Sequence, residues 1–199
     1  MSKLRCFLTF WLCSLTFIAQ AVDFETFTTN MRQHDLLGGQ FVQEKTIQGF
    51  PKPLISKGQF TFWQKHGIEW STVAPLASKT WITANAIKTQ NQFGGQSISS
   101  QTHPMIGVIG SLMMSVFTAD MSVLNEHFTS QLTSSSKGWQ LDLTPRHDLA
   151  LKLFKKLTII GSDFPQTLTI DEKNGDRTLI RFQSVTPLKS VPQGLRDAQ

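Results

Sequence analysis

Cysteine is the first thing this chain lacks. Only Cys6 and Cys13 occur in 199 residues, and both lie in an N-terminal stretch that reads as a secretory signal. Lys3 and Arg5 form its basic n-region, Cys6 to Ile18 its apolar h-region, and Ala19-Gln20-Ala21 an A-x-A cleavage site, so processing is expected between Ala21 and Val22. The apolar run is shorter than the ~20 residues a spanning helix needs. Neither cysteine stands in a lipobox, since Cys13 follows Phe10-Trp11-Leu12 where small residues would be required. From Val22 onward the chain can form neither a disulfide framework nor a thiolate metal site. Its fold must rest on packing alone, which is feasible because a chain of this length buries roughly 70% of its unfolded surface around one core. One domain is expected over residues 22–186, with an irregular tail over 187–199.

Charge is scarce as well. Without Lys3 and Arg5 the chain carries 17 basic and 14 acidic residues, a net +3 that reads as scattered along the sequence. That excess does not mark a nucleic-acid partner, and export argues against one; it is compatible with anionic head groups or an acidic protein. Catalytic motifs are missing too. The five histidines, His34, His66, His103, His127 and His147, include no i,i+4 pair on one expected helix, so no zinc site and no other metal centre is implied. No G-x-S-x-G elbow occurs, and Gly110-Ser111 sits inside an apolar segment with no strand-to-helix turn before it. Asp142, Asp148 and Asp163 could pair in space, but the sequence does not fix the carboxylate separations that acid-base catalysis needs. No catalytic residue and no cofactor follow from the sequence.

What the chain does have is an aromatic ladder: Gly58-Gln59-Phe60-Thr61-Phe62-Trp63, Ile68-Glu69-Trp70-Ser71-Thr72-Val73 and Lys79-Thr80-Trp81-Ile82-Thr83-Ala84. Strand alternation puts Phe60 and Phe62 on one face and Trp63 on the other, which implies an apolar compartment on each side of the sheet. Trp63, Trp70, Trp81 and Trp139 either fill a β-core or, as a group, line a cavity for an acyl chain. The stretch from Met105 to Phe117 carries no charge and is rich in methionine, whose thioethers repack against variable apolar shapes. It is either a lid over that cavity, with Met113 and Phe117 facing the cargo, or a buried core helix.

The rest of the pattern gives the architecture. Phe24, Phe27 and Met31 recur at helical spacing after the capping residue Asp23, predicting an amphipathic helix that ends near Gly38-Gly39. Alternating segments follow over Gln40 to Gln48, Leu54 to Gln64, Ile68 to Val73, Lys79 to Ala84, Ile87 to Phe93 and Gln96 to Gln101, with turns at His66-Gly67, Asn85 and Gly94-Gly95. Asp120 is placed to cap a second helix carrying Met121, Leu124 and Phe128. Strands resume over Phe128 to Ser134, Trp139 to Leu143, Leu157 to Gly161, Gln166 to Asp171 and Arg177 to Ser184, the last two joined at Asn174-Gly175. Asp148 to Lys156 is expected as a helical turn with Leu151 and Phe154 inward. Strands without intervening helices imply a mainly β fold, an antiparallel meander curled into an incomplete barrel with inserted helices.

Several of these segments resemble the outer-membrane lipoprotein carrier (LolA-like) family. They are the N-terminal amphipathic helix, Phe41-Val42-Gln43-Glu44-Lys45, Ser56 through Trp63, Gly67-Ile68-Glu69-Trp70 with Pro75, Ser111 through Phe128, Trp139-Gln140-Leu141-Asp142-Leu143-Thr144-Pro145, and Asp176 through Phe182. The resemblance implies an incomplete antiparallel barrel closed by helices and a non-enzymatic role in shielding lipoprotein acyl chains across the periplasm. It implies an acylated lipoprotein or lipid cargo, an inner-membrane donor, an outer-membrane acceptor, and a monomer. Expected acyl contacts are Phe60, Phe62, Trp63, Trp70, Trp81, Met105, Ile109, Leu112, Met113 and Phe117. Classical carriers have an arginine, linked to cargo release, in the turn before the tryptophan-bearing strand. Here that turn reads Gln64-Lys65-His66-Gly67, so Lys65 is the candidate gating cation, without the forked donors of arginine. A carrier or sensor of a free lipid or lipid-linked precursor, and a small exported hydrolase, are the alternatives left open.

Overall fold

The computed structural model describes residues 28, 29, 31 and 33–191. The signal segment, the predicted cleavage site, Asp23, Phe24, Phe27 and the end of the tail lie outside the described residues. Eleven strands form one sheet in which every neighbouring pair is antiparallel. They are β1 (Leu36–Thr46), β2 (Leu54–Trp63), β3 (Gly67–Ala74), β4 (Ser78–Ile82), β5 (Ala86–Asn91), β6 (Gly94–Ser99), β7 (Phe128–Ser135), β8 (Gly138–Pro145), β9 (Phe154–Gly161), β10 (Pro165–Glu172) and β11 (Arg177–Pro187). Their order in space is β6-β5-β4-β3-β2-β1-β11-β10-β9-β8-β7, so β1 and β11 join two meanders in the middle of the sheet.

The strands form where the sequence alternates. In β8, Trp139, Leu141, Leu143 and Pro145 are buried while Gln140, Asp142 and Thr144 turn outward. Leu141 faces Leu132 on one side and Ile159 on the other, so a single apolar row crosses three strands on one face. The sheet is curled but not closed, and β6 and β7 are its two edges. The chain between those edges is helical: α1 (Pro104–Thr118), then α2 (Met121–His127), with a short α3 (Asp148–Leu153) between β8 and β9. Proline opens α1, where its missing N–H costs nothing, and Ala119 closes it in the left-handed conformation with its N–H bonded to the Ser115 carbonyl. Asp120 caps α2 by accepting from the Ser122 N–H at 3.0 Å, as its position in the sequence predicts. Helix α1 lies against β4, β5 and β6 on one side and α3 on the other, so it bridges the two halves of the sheet.

Three sequence expectations need correction. Thr28, Thr29 and Met31 are helical, but the helix does not run to Gly38-Gly39, which are already in β1. Those glycines serve packing, since a Cβ on Gly39 would come within 2.8 Å of the Phe60 ring. In α3 it is Ala150 that points inward; Leu151 is exposed, and Phe154 is buried as the first residue of β9. The sheet builds one apolar compartment instead of two. Trp63 and Trp81 stand on its outer face, outside the hydrophobic core, Trp63 against the His66 ring at 3.6 Å and Trp81 beneath Lys88 Nζ at 5.6 Å.

Candidate functional site

The interior between α1 and the sheet is built from rings. Register places Phe41 between Gly58 and Phe182, Phe60 beside Trp70, and Phe62 between Leu37 and Ile68, all on the helix-covered face. Phe41 stacks on Trp70 at 3.8 Å between ring centroids. From α1, Phe117 enters this cluster, lying 4.9 Å from Phe60, 5.4 Å from Phe62 and 5.3 Å from Phe182. It is fully buried. Such tilted and edge-on contacts contribute about 0.5–1.5 kcal/mol each beyond the area they bury.

The rest of α1 supplies the wall. Val108, Leu112, Met113 and Val116 are buried at helical spacing, and Ile109 packs against the core from a half-buried position. Over its 15 residues the helix carries no charge. Toward β7–β9 the compartment continues between Val116, Ala119, Met121 and Leu124 on the helices and Trp139, Leu141 and Ile159 on the sheet. The gap there is only about 10 Å³, the volume of about one water-sized sphere, and its lining is almost wholly apolar. The helix's own side chains therefore occupy this space.

Of the residues the sequence singles out, Phe60, Phe62, Trp70, Leu112, Met113, Phe117 and Ile109 come together here. Met105 does not; it sits at the exposed start of α1. Trp63 and Trp81 face away from the interior. On that outer face Trp81 Nε1 and Oε2 of Glu69, its cross-strand neighbour, are buried without a hydrogen-bond partner among the described residues. Lys65 is exposed in the turn before β3 and forms no ion pair among the described residues. Phe41, Phe182 and Ile159 line the interior without having been singled out as site residues, and Trp139, grouped with the other tryptophans in the sequence, lies there too. Their signal was present: Phe182 ends the alternating run Thr178-Leu179-Ile180-Arg181-Phe182, and only pairing with β1 sets it opposite Phe41.

The charged groups stay outside. Asp142 on β8 is partly buried, which opposes its ionisation, yet hydrogen bonds from Thr158 Oγ1 at 2.7 Å, from Lys156 Nζ at 3.1 Å and from Gln140 Nε2 at 3.0 Å outweigh this and hold its carboxyl below the ordinary aspartate value. Asp176 is lowered chiefly by the Gln48 backbone N–H at 3.0 Å. Trp139, inside, satisfies its ring N–H on the Ser162 carbonyl at 2.7 Å.

No family model matches this sequence, and no curated protein is significantly similar to it. Among solved structures, similar chains include a LolA superfamily protein from Nitrosomonas europaea, at 10% identity over 86% of this chain and 96% of that one, with a TM-score of 0.46. A DUF1329 family protein from Desulfovibrio piger gives 9% identity over 84% and 93%, with a TM-score of 0.45. A chain of the Pseudomonas aeruginosa MucA/MucB complex gives 13% over 86% and 58%, with a TM-score of 0.43. At these values the likeness is in the path of the chain and says nothing of cargo, activity or partner.

Proposed function

We propose that the protein is an exported, non-enzymatic carrier that shields acyl chains of a lipoprotein or lipid beneath α1 while it crosses the periplasm from an inner-membrane donor to an outer-membrane acceptor. One observation carries this reading: an uncharged, methionine-bearing helix lies across the β4–β6 half of a curled, open sheet, with α2 continuing to the β7 edge, and fills the aromatic interior with Leu112, Met113, Val116 and Phe117. A helix so placed can be exchanged for cargo. When it swings away, Phe60, Phe62, Trp70 and Phe182 accept methylene groups where Phe117 and Met113 had been. Each methylene removed from water contributes about 0.8 kcal/mol, so one acyl chain can offset the lost helix packing. Release then requires a partner or membrane offering comparable burial, because a ligand shifts the open and closed populations only by its differential affinity for them. Lys65, in the exposed turn before β3, is available to such a partner.

Two measurements test the reading together. Mass spectrometry of protein isolated from its native periplasm should find a bound lipid or acylated protein, and the species found separates lipoprotein from free-lipid cargo. Gly110 lies where α1 crosses the β4–β5 turn so closely that a Cβ would overlap the Thr83 carbonyl oxygen. Gly110→Val should therefore pry the helix from the sheet, lowering the melting temperature while strengthening or speeding uptake of a fluorescent fatty-acyl probe. A variant that is destabilised with no change in uptake, alongside protein free of lipid, would make α1 an ordinary core helix.

A further inference from the structure

The turns joining β1 to β2, β3 to β4 and β5 to β6 lie at one end of the sheet, since alternate turns of a meander return to the same end. The register marks where each closes: Lys45 faces Leu54, Thr72 faces Ser78, and Asn91 faces Gly94. At this end Phe50, Leu54, Val73, Leu76 and Phe93 stand in solvent, Phe93 at 79% exposure and Phe50 and Val73 at 64%. Turn chemistry asks for glycine, proline, asparagine and aspartate, not for phenylalanine and leucine at the tip. With strands about 4.8 Å apart, the three tips spread over roughly 20 Å of one rim. The charge beside them is mainly basic, although Asp176 accepts from the Gln48 N–H in the β1–β2 turn at 3.0 Å. Lys52, Lys57 and Lys79 flank the apolar tips, and from Lys45 to Ala119 the chain has six lysines and a single acidic residue, Glu69, which lies 3.6 Å from the half-exposed Lys79. The charges that look scattered along the whole sequence are thus segregated by the fold: Asp120 to Lys189 holds nine basic and eight acidic residues.

We infer that this rim docks on an anionic phospholipid surface, with the tips of Phe50, Leu76 and Phe93 entering the head-group region and Lys52, Lys57 and Lys79 pairing with phosphate. Peripheral binding needs two signals, apolar insertion and basic charge, and this rim supplies both in adjacent positions. A second copy of the chain is a poor occupant, because the rim's carboxylates, Asp176, Glu172 and Glu69, already pair with Lys45 and Lys79 of the same chain, which leaves Lys52 and Lys57 to meet like charge. The inference concerns where the molecule sits; that docking serves cargo exchange rests on the carrier reading.

The test is flotation of the full exported protein with vesicles of phosphatidylcholine, with and without phosphatidylglycerol. Binding should require phosphatidylglycerol. The triple change Lys52→Gln, Lys57→Gln and Lys79→Gln should weaken it on the order of a hundredfold, from about fivefold per lysine. Lys137→Gln and Lys155→Gln in the other half of the sheet, with Lys189→Gln beyond the end of β11, remove the same charge and should change it little. Phe93→Ser with Leu76→Ser should lower binding with an unchanged melting temperature, since both side chains are exposed. Failure of the unmodified protein to bind, or equal loss in both lysine triples, overturns the inference. Tip changes that abolish a concentration-dependent dimer in the absence of vesicle binding assign the rim to a second copy and overturn it too. Uptake of the fatty-acyl probe is read separately: vesicle binding without uptake counts against the carrier reading and leaves the docking rim standing.

Discussion

The two halves of the sheet share antiparallel meander pairing, but they treat charge in opposite ways. Across β1 and β8–β11 the sheet is laced with ion pairs: Lys45 with Glu172 at 3.1 Å and Asp176 at 3.6 Å, Lys156 with Asp142 at 3.1 Å, Arg177 with Asp171 at 3.6 Å, and Arg181 with Glu44. Across β2–β6 the described residues contain one, Lys79 with Glu69 at 3.6 Å. Exposed pairs of this kind contribute little to stability, with a median of about 0–1 kcal/mol. The contrast therefore concerns what each surface meets. One half neutralises itself and stays a solvated wall. The other leaves every lysine but Lys79 outside an ion pair among the described residues, exposes phenylalanine at its tips, and carries α1 across its interior.

The largest expected effect breaks the interior that the halves share. Phe117→Ala removes a fully buried ring from the contact of α1 with β2 and β11, and should lower the unfolding free energy by about 3–5 kcal/mol in chemical denaturation. Leu157→Ala, fully buried on β9, should cost a similar amount, about 2–5 kcal/mol. The two variants should differ in acyl-probe uptake, which Phe117→Ala changes and Leu157→Ala does not. Equal behaviour would mean that the two halves play the same part.

A smaller effect belongs to the β8–β9 wall. Trp139→Phe keeps most of the ring but leaves the Ser162 carbonyl without its donor, so a loss of about 1–2 kcal/mol is expected in thermal or denaturant melts. The smallest is electrostatic. Because the folded state lowers the Asp142 carboxyl below its unfolded value near 3.9, the stabilisation it provides is complete above that value and disappears as pH falls through the lowered one. Melting temperature against pH should hence be flat from neutrality to about pH 5 on this account and fall below about pH 4. Asp142→Asn should lower the melting temperature slightly at pH 7, where the carboxylate's contribution is complete, and converge with the unmodified protein at low pH, so that part of the acid limb flattens; an acid limb identical to that of the unmodified protein would remove Asp142 from the explanation.

Much of this molecule could be read directly. Alternation located the strands because a half-buried strand needs period two, and Asp120 announced α2 because a carboxylate oxygen satisfies an orphan N–H. The misreadings share one cause. Gly38-Gly39 resembles a helix end until Phe60 is known to lie across Gly39, and Leu151 fits an inward helical position until the packing of α3 turns Ala150 inward instead. The site was legible in part for the same reason. Phe60, Phe62 and Phe117 announce themselves by composition, whereas Phe41 and Phe182 join them only through the pairing of β1 with β11, which are more than a hundred residues apart.

The sequence by itself determined the class of the fold, the uncharged character of α1 and the absence of thiol chemistry after residue 13, since these depend on residue type and short-range period. It also contained the lysine excess between Lys45 and Ala119, but as a count with no direction. Only the tertiary structure decided which aromatic face became the interior, that the helix fills that interior, and that three distant turns bring their apolar tips to one rim. Those outcomes depend on register and curl. A one-residue shift in pairing would exchange the two faces of a strand while leaving its local pattern unchanged.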